Sequence, residues 1–190
     1  MLFRSDGTDS AVVTGAVLVG NSTADNDGKY IGSETVTLGN KTAGTFASKN
    51  AGTGQTVSTT MTLGGADAGN YTISQPTLTG TITKKDLTIL TTTVNAKAYD
   101  GNTTATLAGS TLQAAIAAGA GTSSDGKPYT GDTITIGAAG TYERTLPGTL
   151  IPVTAGIVLG GAEGGNYNPV QPTGLKGEIT GTANLDRNGA

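Results

Sequence analysis

The side chains with the best claim to chemistry in this chain are acidic. Asp25, Asp27 and Glu34, with Asn26 and Gly28 between them, follow part of the pattern of a calcium loop. There, alternate oxygen ligands and a final carboxylate surround the ion, and a central glycine allows the sharp turn. Counted in that register, Thr23 occupies the first ligand position, where a carboxylate belongs, and no flanking helices are evident. A related stretch further on keeps only Asp125, Gly126 and Asp132. A solvated polar hairpin is therefore the leading expectation, with calcium bound through Asp25, Asp27 and Glu34 the weaker one. Catalysis has little to work with. The chain contains no histidine and no cysteine, which removes the commonest proton carrier near neutral pH, the thiol nucleophile and thiolate metal sites. An enzyme would need a pair of carboxylates in a cleft, and no acidic pair recurs in that form. The glycine-rich Gly160 to Gly165 is followed by no Lys-Ser or Lys-Thr pair, so it is not a phosphate cradle. No catalytic residue and no cofactor is expected.

The elements that carry these residues are written twice. Leu63, Gly64, Gly65, Ala66, Gly69, Asn70, Tyr71, Gln75, Pro76 and Thr77 return as Leu159, Gly160, Gly161, Ala162, Gly165, Asn166, Tyr167, Gln171, Pro172 and Thr173. Upstream, Gly44-Thr45-Phe46 answers to Gly140-Thr141-Tyr142, Asp27-Gly28-Lys29 to Asp125-Gly126-Lys127, and Asp6-Gly7 to Asp100-Gly101. A period this long exceeds that of solenoid repeats, so each copy should be a small domain with its own core. The expected division is 1–83, 84–180 and a patternless tail over 181–190, with Lys84-Lys85-Asp86 as a short polar joint that makes the tandem stiff.

Threonine and valine dominate the periodic stretches, and their branched Cβ atoms favour extended backbone. Strands are expected over 11–19, 34–38, 45–47 and 77–83, and along Val57, Thr59, Met61 and Leu63, whose alternation turns one face inward. Gly64 to Gly69 must turn, and Tyr71 behind it is suited to bury its ring while its hydroxyl finds a polar partner. The second unit opens on a strand over 87–98 that has no counterpart before Phe3. Either the first unit is truncated at its leading strand or it needs none; truncation is the leading expectation, and a missing strand would leave an unpaired edge. One helix is expected, over 110–119, with Ser110 as cap, Leu112 and Ile116 on one face and Gly119 as terminator. Pro147 and Pro152 exclude a central strand position between them.

A net charge of −3 with 11 basic residues disfavours nucleic acid and anionic membranes. No apolar run approaches the roughly 20 residues of a spanning helix. Met1-Leu2-Phe3-Arg4 lacks the form of a secretion signal, so the chain reads as a piece of something longer.

At Ala98-Tyr99-Asp100-Gly101-Asn102-Thr103-Thr104-Ala105 and at Leu159-Gly160-Gly161-Ala162-Glu163-Gly164-Gly165-Asn166-Tyr167, the chain resembles the YDG domain family. That family and the related mostly-β-grasp (MBG) modules occur as tandem repeats in large secreted bacterial adhesins, including filamentous haemagglutinin-like proteins. The resemblance covers nearly the whole chain, and the start of the first unit departs from it, keeping only Asp6-Gly7. It implies a mostly β chain of two tandem β-grasp-like modules, each a small sheet with at most one short helix. It also implies a stalk or spacer at the bacterial cell surface, on the Gram-negative outer membrane, whose partners are neighbouring repeats, with self-association or host and matrix glycans engaged through other domains. The alternative is a module that itself binds carbohydrate or host protein. Tyr99, Asp100 and Gly101, with Asn70, Tyr71, Asn166 and Tyr167, are read as structural: Asp-Gly supplies tight-turn geometry with Tyr99 packed beside it, and the Asn-Tyr pairs recur in each module.

Overall fold

The computed structural model describes residues 2–4, as backbone, 6–22 and 26–181. Two compact units divide the chain, Met1–Thr83 and Lys84–Ala190. The first holds β1 (Leu2–Arg4), β2 (Ser10–Val12), β3 (Thr37–Gly39), β4 (Ala43–Phe46), β5 (Gly52–Thr59), β6 (Thr62–Gly64) and β7 (Leu78–Thr83). A five-stranded sheet has the order β1-β7-β5-β4-β2, and β3 pairs with β6 beside it. All neighbours are antiparallel except β1 and β7, which run parallel with Phe3 opposite Ile82. The period-two reading of the middle of this unit holds: Val57, Thr59 and Met61 are buried. Ala11, Phe46, Val57 and Ile82 form the core, and each large apolar side chain removed from water there contributes about 1.5–3 kcal/mol.

The second unit holds β8 (Lys85–Leu90), β9 (Thr93–Val94), β10 (Lys97–Ala98), β11 (Thr104–Ala108), β12 (Thr111–Leu112), β13 (Thr135–Gly137), β14 (Ala139–Tyr142), β15 (Gly148–Ala155), β16 (Val158–Gly160), β17 (Tyr167–Val170) and β18 (Lys176–Thr180). Its main sheet, β10-β18-β15-β14-β11-β9, repeats that of the first unit, again with a parallel pair at its edge, Lys97 opposite Ile179. The core repeats as well: Ala105, Tyr142, Val153 and Ile179 stand where Ala11, Phe46, Val57 and Ile82 stand in the first copy. Among the described residues each unit has one 3-10 turn, Ala68–Asn70 and Gly164–Asn166. A further sheet, β12-β8-β17, has no equivalent among the described residues of the first unit.

Several expectations need correction. No α-helix occurs among the described residues. The stretch 110–119 instead supplies β12, where Leu112 pairs with Ile89, and then an isolated bridge between Ile116 and Tyr129. Pairing with β8 outweighs a weak local helix preference. Pro152 lies inside β15, between β14 and β18. It sits one residue past the last β14 pair, Tyr142 with Val153, so its missing N–H falls at the end of that ladder, while its carbonyl accepts the Glu143 N–H at 3.0 Å. The single strand expected over 87–98 is three strands, broken at Thr91, whose φ is +56°. The strand expected over 11–19 is confined to β2. Lys84-Lys85-Asp86 is not a polar joint throughout, because Lys85 is fully buried within β8. Finally, β1 is the counterpart of β10, so the end of the leading segment does have an equivalent in the first unit.

Candidate functional site

The polar residues that recur between the copies converge on one place in each unit, around the tyrosine behind the glycine turn. The 3-10 turn delivers Tyr167 into the core, where its ring lies 6.5 Å from that of Tyr129 and packs beside Leu87. Its hydroxyl accepts the Tyr129 N–H at 3.0 Å and donates to Asp132 Oδ2 at 2.5 Å. Burial, then the bond to Asp132, raises its pKa well above the usual phenol value. In the first unit the Tyr71 hydroxyl accepts the Ile31 N–H at 2.9 Å and donates to Glu34. That bond to Glu34 raises its pKa in turn. Asn70 Nδ2 donates to Glu34 at 3.3 Å. In both units a carboxylate receives the tyrosine hydroxyl, Glu34 in the first and Asp132 in the second, with Tyr167 buried and Tyr71 only partly so.

Two further recurrent contacts complete the network, and neither was assigned from the sequence. Asp67 accepts the Thr35 N–H at 2.8 Å, and Glu163 accepts the Thr133 N–H at 2.7 Å. Gln75 brackets Met61, accepting its N–H at 3.0 Å and donating to its carbonyl at 2.8 Å; Gln171 does the same for Ile157 at 2.8 and 2.7 Å. Such a side chain stands in for a missing strand neighbour, satisfying both backbone groups of one residue. Recurrence of the glutamine was the available signal.

The acidic candidates are used locally. Asp25 lies outside the described residues. Asp27 accepts the Lys29 N–H at 3.0 Å and the Ser22 hydroxyl at 3.2 Å, closing its own turn. Glu34 serves Tyr71 and Asn70. Among the described residues no cluster of three or more acidic side chains is arranged to hold a metal.

At the Tyr99-Asp100-Gly101 turn, Asp100 accepts the Asn102 N–H at 3.0 Å and pairs with Lys97 at 2.7 Å, while Gly101 takes a φ of +76°. Lys97 also donates to Asn102 Oδ1 at 2.8 Å and to the Thr104 carbonyl at 3.2 Å. The hydrogen bond from Lys97 holds the Asp100 carboxyl below its usual range. The first unit keeps the turn with other residues: Asp6 accepts the Thr8 N–H at 2.8 Å, and Gly7 has a φ of +79°. Tyr99 beside this turn is 52% exposed.

The strongest electrostatic feature is Lys85. Its ammonium pairs with Asp125 at 2.8 Å, donates to the Thr122 carbonyl at 2.5 Å, and lies 4.6 Å from the centre of the Tyr129 ring. The sequence carried a signal for it, since Lys85 shares its phase with Leu87 and Ile89. Burial opposes ionisation of Asp125, but hydrogen bonds from Lys85, Lys127 and Thr122 outweigh it and bring the pKa down to about 2. Because this value lies below that of the unfolded chain, the stabilisation is complete above about pH 4 and is lost as pH falls toward 2. The second unit should lose about 2 kcal/mol across that window. Thermal unfolding between pH 5 and 2 should show this, and Asp125→Asn should remove that component of the pH dependence.

These features define a class: tandem, mostly β modules whose repeated polar residues tie turns to a small core. The family model of the YDG domain matches residues 6–79 and 83–174, and the chain belongs to the YDG domain family. No curated protein and no solved structure matches it.

Proposed function

We propose that this chain is a pair of load-bearing spacer modules from a bacterial cell-surface or secreted adhesin, holding a distal binding domain in adhesion or biofilm formation, and that it is not an enzyme. The observation that carries this reading is the parallel pairing at the edge of each main sheet, β1 with β7 and β10 with β18. In a parallel pair the leading end of one strand and the trailing end of the other lie at opposite ends of the ladder. Tension transmitted along the backbone therefore shears the interstrand hydrogen bonds together instead of unzipping them singly. The repeated polar network supports the same reading, since its side chains are spent on backbone N–H groups of their own unit. The family resemblance adds the setting: an extracellular location at the Gram-negative surface, with neighbouring repeats of the same polypeptide as partners.

Single-molecule pulling tests the proposal. Handles at the opposite ends of the β1–β7 pair should give a markedly higher unfolding force than handles at positions 4 and 83, which lie side by side at one end. Equal forces in the two geometries would overturn it. The exposed ring of Tyr99 favours a second reading, direct recognition of carbohydrate. A glycan array separates the two: spacer modules give no saturable signal, whereas a sugar-binding module gives one that Tyr99→Ala abolishes.

A further inference from the structure

The solvent face of the main sheet differs between the two copies along one cross-strand row. In the second unit the row runs through Glu143, Pro152 and Lys176: the Glu143 N–H donates to the Pro152 carbonyl at 3.0 Å, and Pro152 is paired with Lys176. All three are exposed, so a negative and a positive side chain flank an uncharged centre, about 10 Å apart across two strand spacings. The first unit has Ala47, Thr56 and Thr79 in the same places, and none of them is charged. Next to this row each sheet has a bulge, where two residues oppose one. In the second unit Leu150 stands in the bulge, 71% exposed and at a φ of +53°, where the first unit has Gly54 at +64°. That backbone costs a leucine what it does not cost a glycine. The second copy therefore holds a leucine in an unfavourable conformation beside a charged row, and Leu150 takes no part in the core.

We infer that this face is the contact surface of a weak two-fold dimer of the chain, in which two copies of the second unit stack sheet on sheet about an axis that runs along β15. The order of the charges selects both the occupant and the axis. Turned about β15, the row reads negative, neutral, positive in one copy and positive, neutral, negative in the other, so Glu143 faces Lys176 twice. An axis across the strands would set Glu143 on Glu143 and Lys176 on Lys176, and a partner of a single sign would be repelled at one end of the row. The same rotation keeps positions along β15 unchanged, so Leu150 meets Leu150 and both are withdrawn from water. On the other side of Pro152, Thr154 meets Thr154, within a row that Thr141 and Thr104 continue. Glu178, opposite the bulge, comes to face the Arg144 end of β14 in the second copy. A surface that is its own complement is what a two-fold contact requires, and sheets with aligned strands stack stably. One charged row and one leucine per copy place the contact at the small end of the interface range, hence reversible.

Sedimentation equilibrium of the intact chain, from micromolar to millimolar concentration, should show a monomer passing into a dimer, with less dimer at high salt. Leu150→Gly installs the residue of the first unit; it should leave the thermal transitions in place or raise them, and weaken the dimer by about tenfold or more. Lys176→Glu alone and Glu143→Lys alone should each weaken it by a similar factor. The two together should restore it, because the reversed row is again its own complement. A chain that stays monomeric throughout, a dimer indifferent to Leu150→Gly, or single charge reversals that the double variant does not rescue would overturn the proposal. So would a monomer whose signal on a glycan array falls with Leu150→Gly, because a sugar would then be the occupant.

Discussion

Lys85→Ala is expected to unfold most of what holds the second unit together, while leaving the first unit unchanged. The substitution removes a fully buried cation from Asp125, the Thr122 carbonyl and the Tyr129 ring, and it empties the space filled by the four-carbon stem. Breaking a buried pair costs about 3–5 kcal/mol, a large part of the stability of a domain this size. At roughly 4–8 °C per kcal/mol for a small domain, the second thermal transition should fall by about 15 °C or more. Lys85→Met separates the two contributions, since it restores volume without charge and should lie between wild type and alanine. A shift of only a degree or two for Lys85→Ala would mean that the ammonium is not the tie that fixes β8.

The second large effect is predicted within a motif that looks uniform in sequence. Gly65→Ala and Gly161→Ala should each destabilise their own unit by about 3 kcal/mol or more. Both glycines adopt positive φ, +102° and +87°, and an added Cβ would meet the Thr35 and Thr133 carbonyl oxygens at 2.2 and 2.3 Å. Those are backbone atoms, pinned by the neighbouring N–H bonds to Asp67 and Glu163, so they cannot move aside. The glycines around them set the scale. At Gly64 and Gly160 the nearest atom is a threonine hydroxyl that can rotate away, and at Gly69 and Gly165 nothing lies within 4 Å. Chemical denaturation of the alanine series should therefore rank the second glycine far above the first, and the third near zero. Equal costs at all positions would contradict this account.

Much of the frame was legible in the chain before any coordinates. The duplication was readable because turn glycines, the Asn-Tyr pair and the glutamine recur at nearly constant spacing, and each answers to local geometry. The buried alternation of Val57, Thr59 and Met61 was legible because side-chain direction in a strand reverses at every residue. The burial of Tyr167 is consistent with a ring with a polar tip placed behind a tight turn. For Lys85 only the phase shared with Leu87 and Ile89 was legible, since a lysine beside another lysine and an aspartate otherwise reads as solvent-facing until its neighbours are known. Its carboxylate partner lies 40 positions away in the sequence. Tyr99 shows the reverse: a ring expected beside its turn keeps 52% of its surface exposed.

The sequence by itself determined that this protein is made twice over, that its units are built of strands, and where its turns fall, because those properties follow from the sterics and periodicity of neighbouring residues. Only the tertiary structure decided that 110–119 joins a sheet instead of coiling, that Pro152 can sit between two strands, and that a lysine can be buried. Each of these depends on which distant segment supplies the missing hydrogen bonds and excludes the water, and no local pattern specifies that.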